Sequence, residues 1–121
     1  PADVRLDGIA FHPYGRGTRP GTRYANWGHL EDEVAAYAKI LPDAPLWITE
    51  WGVLDKEGDP PADVAAYAAE FIDYLNAKYA GRIAAAVWYA WAMGMHNGYG
   101  IVGRDGQPIE PLYTRFLRLK G

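Results

Sequence analysis

The chain has 121 residues, of which half are hydrophobic and 22% are charged, and its formal net charge is −3. This length and composition indicate one folded domain rather than a disordered segment. The slightly acidic balance excludes the basic surface that attracts nucleic acids and anionic membranes. The absence of cysteine excludes a disulfide scaffold, a thiolate metal site and a cysteine nucleophile, and it leaves the cellular compartment unknown.

The N-terminal residues PADVRLDG contain neither an initiator Met nor the basic and then apolar segments of a signal peptide. This beginning predicts a processed end or a piece of a longer protein. The longest apolar stretch, about residues 83–95, is too short to cross a bilayer and contains Gly94.

The first of three similar units begins near the N-terminus, and each unit is a predicted strand, a loop and a helix. The apolar run IAF predicts a strand over residues 6–12, and a loop rich in Gly, Arg and Pro follows it. Apolar residues then recur at helical intervals: Leu30, Val34, Tyr37 and Leu41. They predict a helix over residues 28–41, which has an acidic first turn and ends before Pro42.

The second and third units repeat this plan. APLWITE predicts a strand over residues 44–50, and the helix that follows is predicted to end at Gly81. Its apolar face consists of five residues: Val64, Ala68, Phe71, Leu75 and Tyr79. The third unit predicts a strand over residues 83–91, a long glycine-rich loop and a short closing helix. That helix has three apolar positions: Leu112, Phe116 and Leu119.

Strands that alternate with helices predict a parallel sheet, and the near-continuous apolar strands predict burial on both faces. Parallel strands joined through helices all point in the same direction. Their C-terminal ends therefore share one edge of the sheet, where the active sites of α/β folds gather.

Residues with reactive or aromatic side chains follow each predicted strand at this edge. The first strand ends in His12, with Tyr14 two residues later, and the second ends in Glu50. The third ends in Trp91, with Tyr89 two positions before it. Each has an ordinary explanation by itself: a loop histidine, an ion-paired or helix-capping glutamate, a core tryptophan. Their occurrence at equivalent positions on three strands favours a shared site.

Three segments, FHPYG, WITEWG and AVWYAW…GIVGRDGQP, resemble the last three βα units of the clan A retaining glycoside hydrolases. That superfamily includes cellulases, mannanases, xylosidases and β-galactosidases. The resemblance covers essentially the whole chain and implies that residues 1–121 are the C-terminal segment of a catalytic domain. It implies an α/β fold of the (β/α)8 TIM-barrel type, here three βα units (strands six to eight) of a partial barrel.

The resemblance also implies roles for the residues that match the family's motifs. Glu50 in ITEWG corresponds to the catalytic nucleophile, and His12 and Tyr14 correspond to a His-x-Tyr on the preceding strand. Trp91, or as a second choice Trp88, corresponds to the tryptophan of the sugar subsite beside the cleaved bond. Other residues on the loops at this edge are predicted to line outer subsites: Trp27, Trp51, His96, Asn97, Asn26 and Arg16.

Retaining cleavage needs a nucleophilic carboxylate about 5 to 5.5 Å from a second carboxyl group. Glu50 would attack the anomeric carbon, and the Tyr14 hydroxyl would hold its charge through a hydrogen bond. His12 would orient neighbouring groups or bind a sugar hydroxyl, and Trp91 would stack on the C–H face of a pyranose. No metal or cofactor is predicted, because the three histidines lie in different units and no phosphate-binding loop or G-x-S-x-G elbow is present.

The second carboxyl group has no matching residue in this chain. The family places it on the fourth strand, and a complete barrel has about 250 residues. Acidic residues on the loops at this edge are typical of solvated surface charges: Asp55, Glu57, Asp59 and Asp105. The expected partners are therefore a carbohydrate and either the N-terminal half of the barrel or further copies that self-associate through open strand edges.

Further expectations follow from the partial barrel. Four side chains are predicted to be exposed on its inner face: Leu46, Ile48, Ala10 and Val87. The family resemblance also implies a cis peptide bond at Trp91–Ala92. Two functional hypotheses remain open: a glycoside hydrolase acting on β-linked oligo- or polysaccharides, and a non-catalytic sugar-binding or scaffold fragment. An unrelated α/β domain is a third, and it predicts that the residues at the strand ends do not share a cleft.

Overall fold

The computed structural model describes residues 6–14, 30–55 and 58–119. Strands and helices alternate along these residues in this order: β1 (Ile9–Phe11), α1 (Leu30–Ile40), β2 (Leu46–Trp51), α2 (Pro61–Tyr79), β3 (Ile83–Trp88) and α3 (Leu112–Arg118). The predicted alternation is confirmed. The first strand is shorter than predicted, and the third ends at Trp88 rather than Trp91. Residues 28 and 29, the predicted start of the first helix, lie outside the described residues.

The three strands form one parallel sheet in the order β1-β2-β3. Among the described residues, β1 and β3 each pair only with β2, so the sheet is open. The predicted fold class, a partial barrel of the (β/α)8 type, is therefore wrong: the architecture is an open three-stranded α/β sheet. The strand–helix pattern correctly indicated parallel strands, but closure depends on the number, tilt and stagger of the strands in a ring, which that pattern does not specify.

The core lies between the helices and one face of the sheet. Leu46 and Ile48 of β2 are fully buried there. They belong to the same cluster as apolar residues of the first two helices: Leu30, Val34, Val64, Phe71 and Leu75. A strand places alternate side chains on opposite faces, which is why the buried positions of β2 are two residues apart.

The opposite face of the sheet is open in the part of the chain that the structure describes. Trp47 is 45% exposed and Val87 is 51% exposed, so the predicted burial of both faces is wrong. Exposure of Ala10 and Val87 is confirmed. The same prediction is wrong for Leu46 and Ile48, because these residues face the helices and Trp47 occupies the open side.

Arg82, just before β3, connects the segment after α1 to the edge of the sheet where the strands begin. Its Nη2 donates hydrogen bonds to the carbonyl oxygens of Leu41 and Ala44, each at 3.0 Å, beyond the end of α1. Its own carbonyl accepts from the backbone N–H of Leu46 at 2.8 Å. The Arg82 guanidinium thus provides hydrogen-bond donors for backbone carbonyl groups just after α1, which have no N–H partner within the helix.

No helix in the described ranges has the length and apolar character needed to span a membrane.

Candidate functional site

Glu50 lies near the end of β2 and contacts two residues that follow β1. The Tyr14 hydroxyl donates a hydrogen bond to Oε1 of Glu50, and Nδ1 of His12 lies 3.5 Å from Oε2. The side chains of His12 and Glu50 are 54% and 28% exposed, so the carboxylate is reachable from solvent. The parallel pairing of β1 with β2 brings His12 and Tyr14 to Glu50, and Tyr14 and Glu50 are 36 residues apart in the sequence.

Tyr14 is held on its main-chain side as well as at its hydroxyl. Its backbone N–H donates to Oε2 of Glu33, in the first turn of α1, at 3.1 Å. The preceding Pro13 is fully buried and has no N–H of its own. Tyr14 is therefore held at its backbone N–H by Glu33 and at its side-chain hydroxyl by Glu50.

The environment of Tyr14 keeps its hydroxyl protonated. Burial, then the hydrogen bond to Glu50 and the charge of that carboxylate, raise the pKa of Tyr14 far above its usual value. The phenol of Tyr89 adds a smaller effect in the same direction. The Tyr14 hydroxyl is consequently a hydrogen-bond donor to Glu50 at any physiological pH.

An irregularity in β2 separates Glu50 from the core. Ile48 pairs with Ala86 and Trp51 with Trp88, so three steps along β2 match two along β3. An extra residue of this kind bends a strand and redirects a side chain, and such bulges are frequent beside active sites. Here it allows Trp51 to remain on the helix side while Glu50 reaches the polar pair after β1.

Trp51 lies in the core, although it was predicted to line a sugar subsite. It is 1% exposed, and its ring is 4.7 Å from Phe71 and 4.8 Å from Trp88 between centroids. Trp88, the second choice for the sugar platform, donates its indole N–H to the carbonyl of Tyr99 at 2.8 Å. The two tryptophans thus pack against each other on the helix side of the sheet, away from the exposed carboxylate.

Trp91 lies in the loop after β3, and its side chain is 61% exposed. Its carbonyl accepts the backbone N–H groups of Ile101 and Val102, each at 3.0 Å, which fixes the main chain of this loop. The non-proline cis peptide bond is at Tyr89–Ala90, so the prediction of Trp91–Ala92 is wrong by two residues.

His96 and Asn97 are exposed residues of the same loop, and both have positive φ values, 48° and 67°. The carbonyl of Asn97 accepts the N–H of Asp55 at 2.9 Å, and Gly98 forms an antiparallel bridge with Leu54. The loop after β3 is therefore paired with the loop after β2. Within the described ranges, no hydrogen bond or ring contact links Trp91, His96 or Asn97 to Glu50. Three other predicted site residues lie outside the described residues: Trp27, Asn26 and Arg16.

Tyr89 is a residue whose importance the sequence pattern understated. Its backbone N–H donates to the carbonyl of Trp51 at 2.8 Å, directly beside Glu50. Its ring lies against Gly98, where an added Cβ would be 2.7 Å from Cδ1 of Tyr89. An added Cβ at Gly52 would be 2.5 Å from the Tyr89 carbonyl oxygen. Two glycines thus make room for Tyr89, and only the tertiary structure shows that they face it.

The structure shows the environment of two of the loop acids that were considered as a second carboxyl group. Asp105 accepts the N–H of Gln107 within its own turn at 3.0 Å, and Asp59 is buried, with its backbone carbonyl accepting the hydroxyl of Tyr99. Glu57 lies outside the described residues. No group of three His, Asp or Glu side chains in residues 6–14, 30–55 and 58–119 is arranged to hold a metal ion.

No family model matches the chain, and no match is found among curated proteins or solved structures. The interpretation of the site depends on its own residues and geometry.

Proposed function

We propose that this chain carries the nucleophile of a retaining β-glycoside hydrolase and that Glu50 is that nucleophile. The observation that supports the proposal is the contact of Glu50 with Tyr14 and His12 beside the ends of two adjacent parallel strands. A nucleophilic carboxylate must be accessible and held in one orientation. The hydrogen bond to Tyr14 fixes one oxygen, and the partial exposure of Glu50 leaves room for a sugar.

In this proposal the second oxygen of Glu50 attacks the anomeric carbon of a β-linked sugar and forms a glycosyl-enzyme ester. His12 is close enough to that oxygen to orient it or to bind a neighbouring sugar hydroxyl. Trp91 offers an exposed apolar ring for the C–H face of a pyranose.

Hydrolysis of a natural glycoside needs a second carboxyl group, which protonates the departing oxygen and later activates water. We propose that this group comes from a companion polypeptide segment rather than from the loop acids of this chain. Among the residues that the structure describes, one face of the sheet is open and one side of β1 and of β3 is unpaired, and such a segment would cover these surfaces.

The test uses a leaving group that needs no proton, so that the nucleophile is examined by itself. The chain is incubated with dinitrophenyl 2-deoxy-2-fluoro-β-glycosides of glucose, mannose, galactose and xylose. Glu50 displaces the dinitrophenolate, which leaves with the bonding electron pair, and a fluoroglycosyl ester remains on the protein. Peptide mass spectrometry is expected to locate one fluoroglycosyl group on Glu50 for at least one sugar.

Three variants test whether the label is attached by Glu50 in the way proposed. Glu50→Gln is expected to abolish the adduct, and Tyr14→Phe to slow its formation about tenfold, because one hydrogen bond to the carboxylate is lost. Glu110→Gln is the matched control: Glu110 binds Thr114 beside α3, and its loss should leave labelling unchanged. No ester at Glu50 with any sugar would contradict the proposal. Retained sugar binding without an adduct would favour the alternative, a non-catalytic carbohydrate-binding fragment.

A further inference from the structure

Glu33 is separated from Tyr14 by 19 positions in the sequence, yet the two are joined by a hydrogen bond at 3.1 Å. The three acidic residues at the start of α1 share the negative charge that a helix N-terminus favours: Glu31, Asp32 and Glu33. Stabilisation of the helix N-terminus needs only a negative charge, and the exposed Asp32 provides one. Glu33 has in addition a specific acceptor role toward the main chain that follows β1.

The hydrogen bond from Tyr14 to Glu33 is of a strong kind, because a carboxylate accepts it. It fixes the main chain at the residue whose hydroxyl binds Glu50. The buried Pro13 limits the same main chain from the other side, since its ring restricts φ. A series of contacts thus runs from the first turn of α1 through Tyr14 to Glu50.

We propose that Glu33 is a positioning residue, which holds the main chain of Tyr14 so that the Tyr14 hydroxyl meets Glu50. This inference rests on the proposed function for its importance in catalysis. The contact between Tyr14 and Glu50 exists whether or not the chain cleaves glycosides, and the role of Glu33 is tested at that contact. Without the acceptor at Glu33, Tyr14 gains freedom and its hydrogen bond to Glu50 weakens.

Two conservative variants separate the effect of the length of the Glu33 side chain from the effect of its charge. Glu33→Gln keeps an acceptor oxygen at the same reach and removes the charge, whereas Glu33→Asp keeps the charge and shortens the side chain by one methylene. Asp32→Ala is the matched control, because it removes a carboxylate from the same turn and leaves Glu33, the acceptor of the Tyr14 N–H, in place. Circular dichroism verifies that each variant folds.

The readout is the ionisation of 2,3,5-trifluorotyrosine incorporated at position 14, followed by ¹⁹F NMR, since three ring fluorines acidify the phenol enough to bring its strongly raised titration into an accessible pH range. A hydrogen bond to Glu50 stabilises the neutral phenol and raises its pKa, so a weakened bond lowers it. Glu33→Asp is expected to lower the pKa of this residue by about one pH unit. Glu33→Gln is expected to lower it by less than half as much, and Asp32→Ala to leave it unchanged.

The pKa change in Glu33→Asp must exceed that in Glu33→Gln. An equal or larger change in Glu33→Gln would mean that Glu33 acts through its charge, and it would overturn the positioning role. No change in either variant would overturn it too. Where fluoroglycosides label Glu50, Glu33→Asp should also slow labelling several-fold. If no variant is labelled, the proposed function fails, while the fluorine titration still decides the role of Glu33.

Discussion

Glu50 and Trp51 are neighbours in the sequence, but they lie in opposite environments. Glu50 is partly exposed and binds Tyr14 and His12, whereas Trp51 is almost completely buried and packs on the rings of Phe71 and Trp88. If side chains alternated regularly along β2, Glu50 would lie on the buried face with Ile48, and Trp51 would lie on the open face. The irregular register between Ile48 and Trp51 instead returns Trp51 to the buried face.

This difference shows how one strand end can serve both stability and chemistry. The buried side contributes through apolar area and close packing, which involve no titrating group and so do not depend directly on pH. The exposed side contributes through one hydrogen bond and one ion pair, whose free energies are small and depend on pH and salt. Substitutions on the two sides are therefore expected to differ in magnitude and in their response to conditions.

The largest effect is expected from Trp51→Ala. Removal of a fully buried aromatic side chain leaves a cavity and should lower the free energy of unfolding by about 3–5 kcal/mol. Urea unfolding followed by circular dichroism measures the change, and Trp51→Phe serves as a milder variant if the alanine protein does not fold. Trp91→Ala is the control, because its exposed ring should change stability by less than about 0.5 kcal/mol. Similar losses in both would remove the distinction between core and exposed tryptophan.

An intermediate effect is expected from Tyr14→Phe, which removes the hydroxyl bound to Glu50. At pH 8 the free energy of unfolding should fall by about 1 kcal/mol. The raised pKa of Tyr14, caused first by burial and then by Glu50, adds a pH dependence. The folded state keeps this proton when the unfolded state loses it, so the stabilisation is complete below pH about 10 and is lost as the pH rises above that value.

Urea titrations between pH 8 and pH 11 measure this dependence. The wild-type chain should lose stability more steeply than Tyr14→Phe above pH about 10. Tyr37→Phe, which keeps the ring stacked on Phe11 at 4.4 Å, is the control and should change stability at pH 8 by less than about 0.5 kcal/mol. Parallel curves for wild type and Tyr14→Phe would mean that the Tyr14 hydroxyl does not make this contact in solution.

The smallest effect is expected for the contact between His12 and Glu50, which is an ion pair only when the imidazole is protonated. Both side chains are accessible to solvent, so a double-mutant cycle with His12→Ala and Glu50→Gln should give a coupling of about 0.2–1 kcal/mol. The coupling should decrease when salt is raised from 0.05 M to 1 M, because added ions screen exposed charges. A coupling that is larger than this and insensitive to salt would place the pair in a buried environment and weaken the contrast with Trp51.

The structure agrees best with the sequence where the pattern is local. The helical spacing of Val64, Phe71 and Leu75 predicted their burial in α2, and all three lie in the core. The proximity of His12, Tyr14 and Glu50 followed from the parallel strand direction. The acceptor role of Glu33 could not be predicted in this way, because an acidic residue in a first helical turn already has a sufficient explanation.

The amino-acid sequence by itself determined the order of strands and helices, the parallel direction of the strands and the polar residues beside the ends of β1 and β2. These depend on periodicity and chain direction, which short-range chemistry sets. Only the tertiary structure decided that the sheet is open, that Trp51 belongs to the core, that Tyr89 lies against Gly98, and that Glu33 accepts a hydrogen bond from Tyr14. These outcomes depend on the strand register and on contacts between residues distant in sequence, and a one-residue change of register reverses the face of every side chain that follows it.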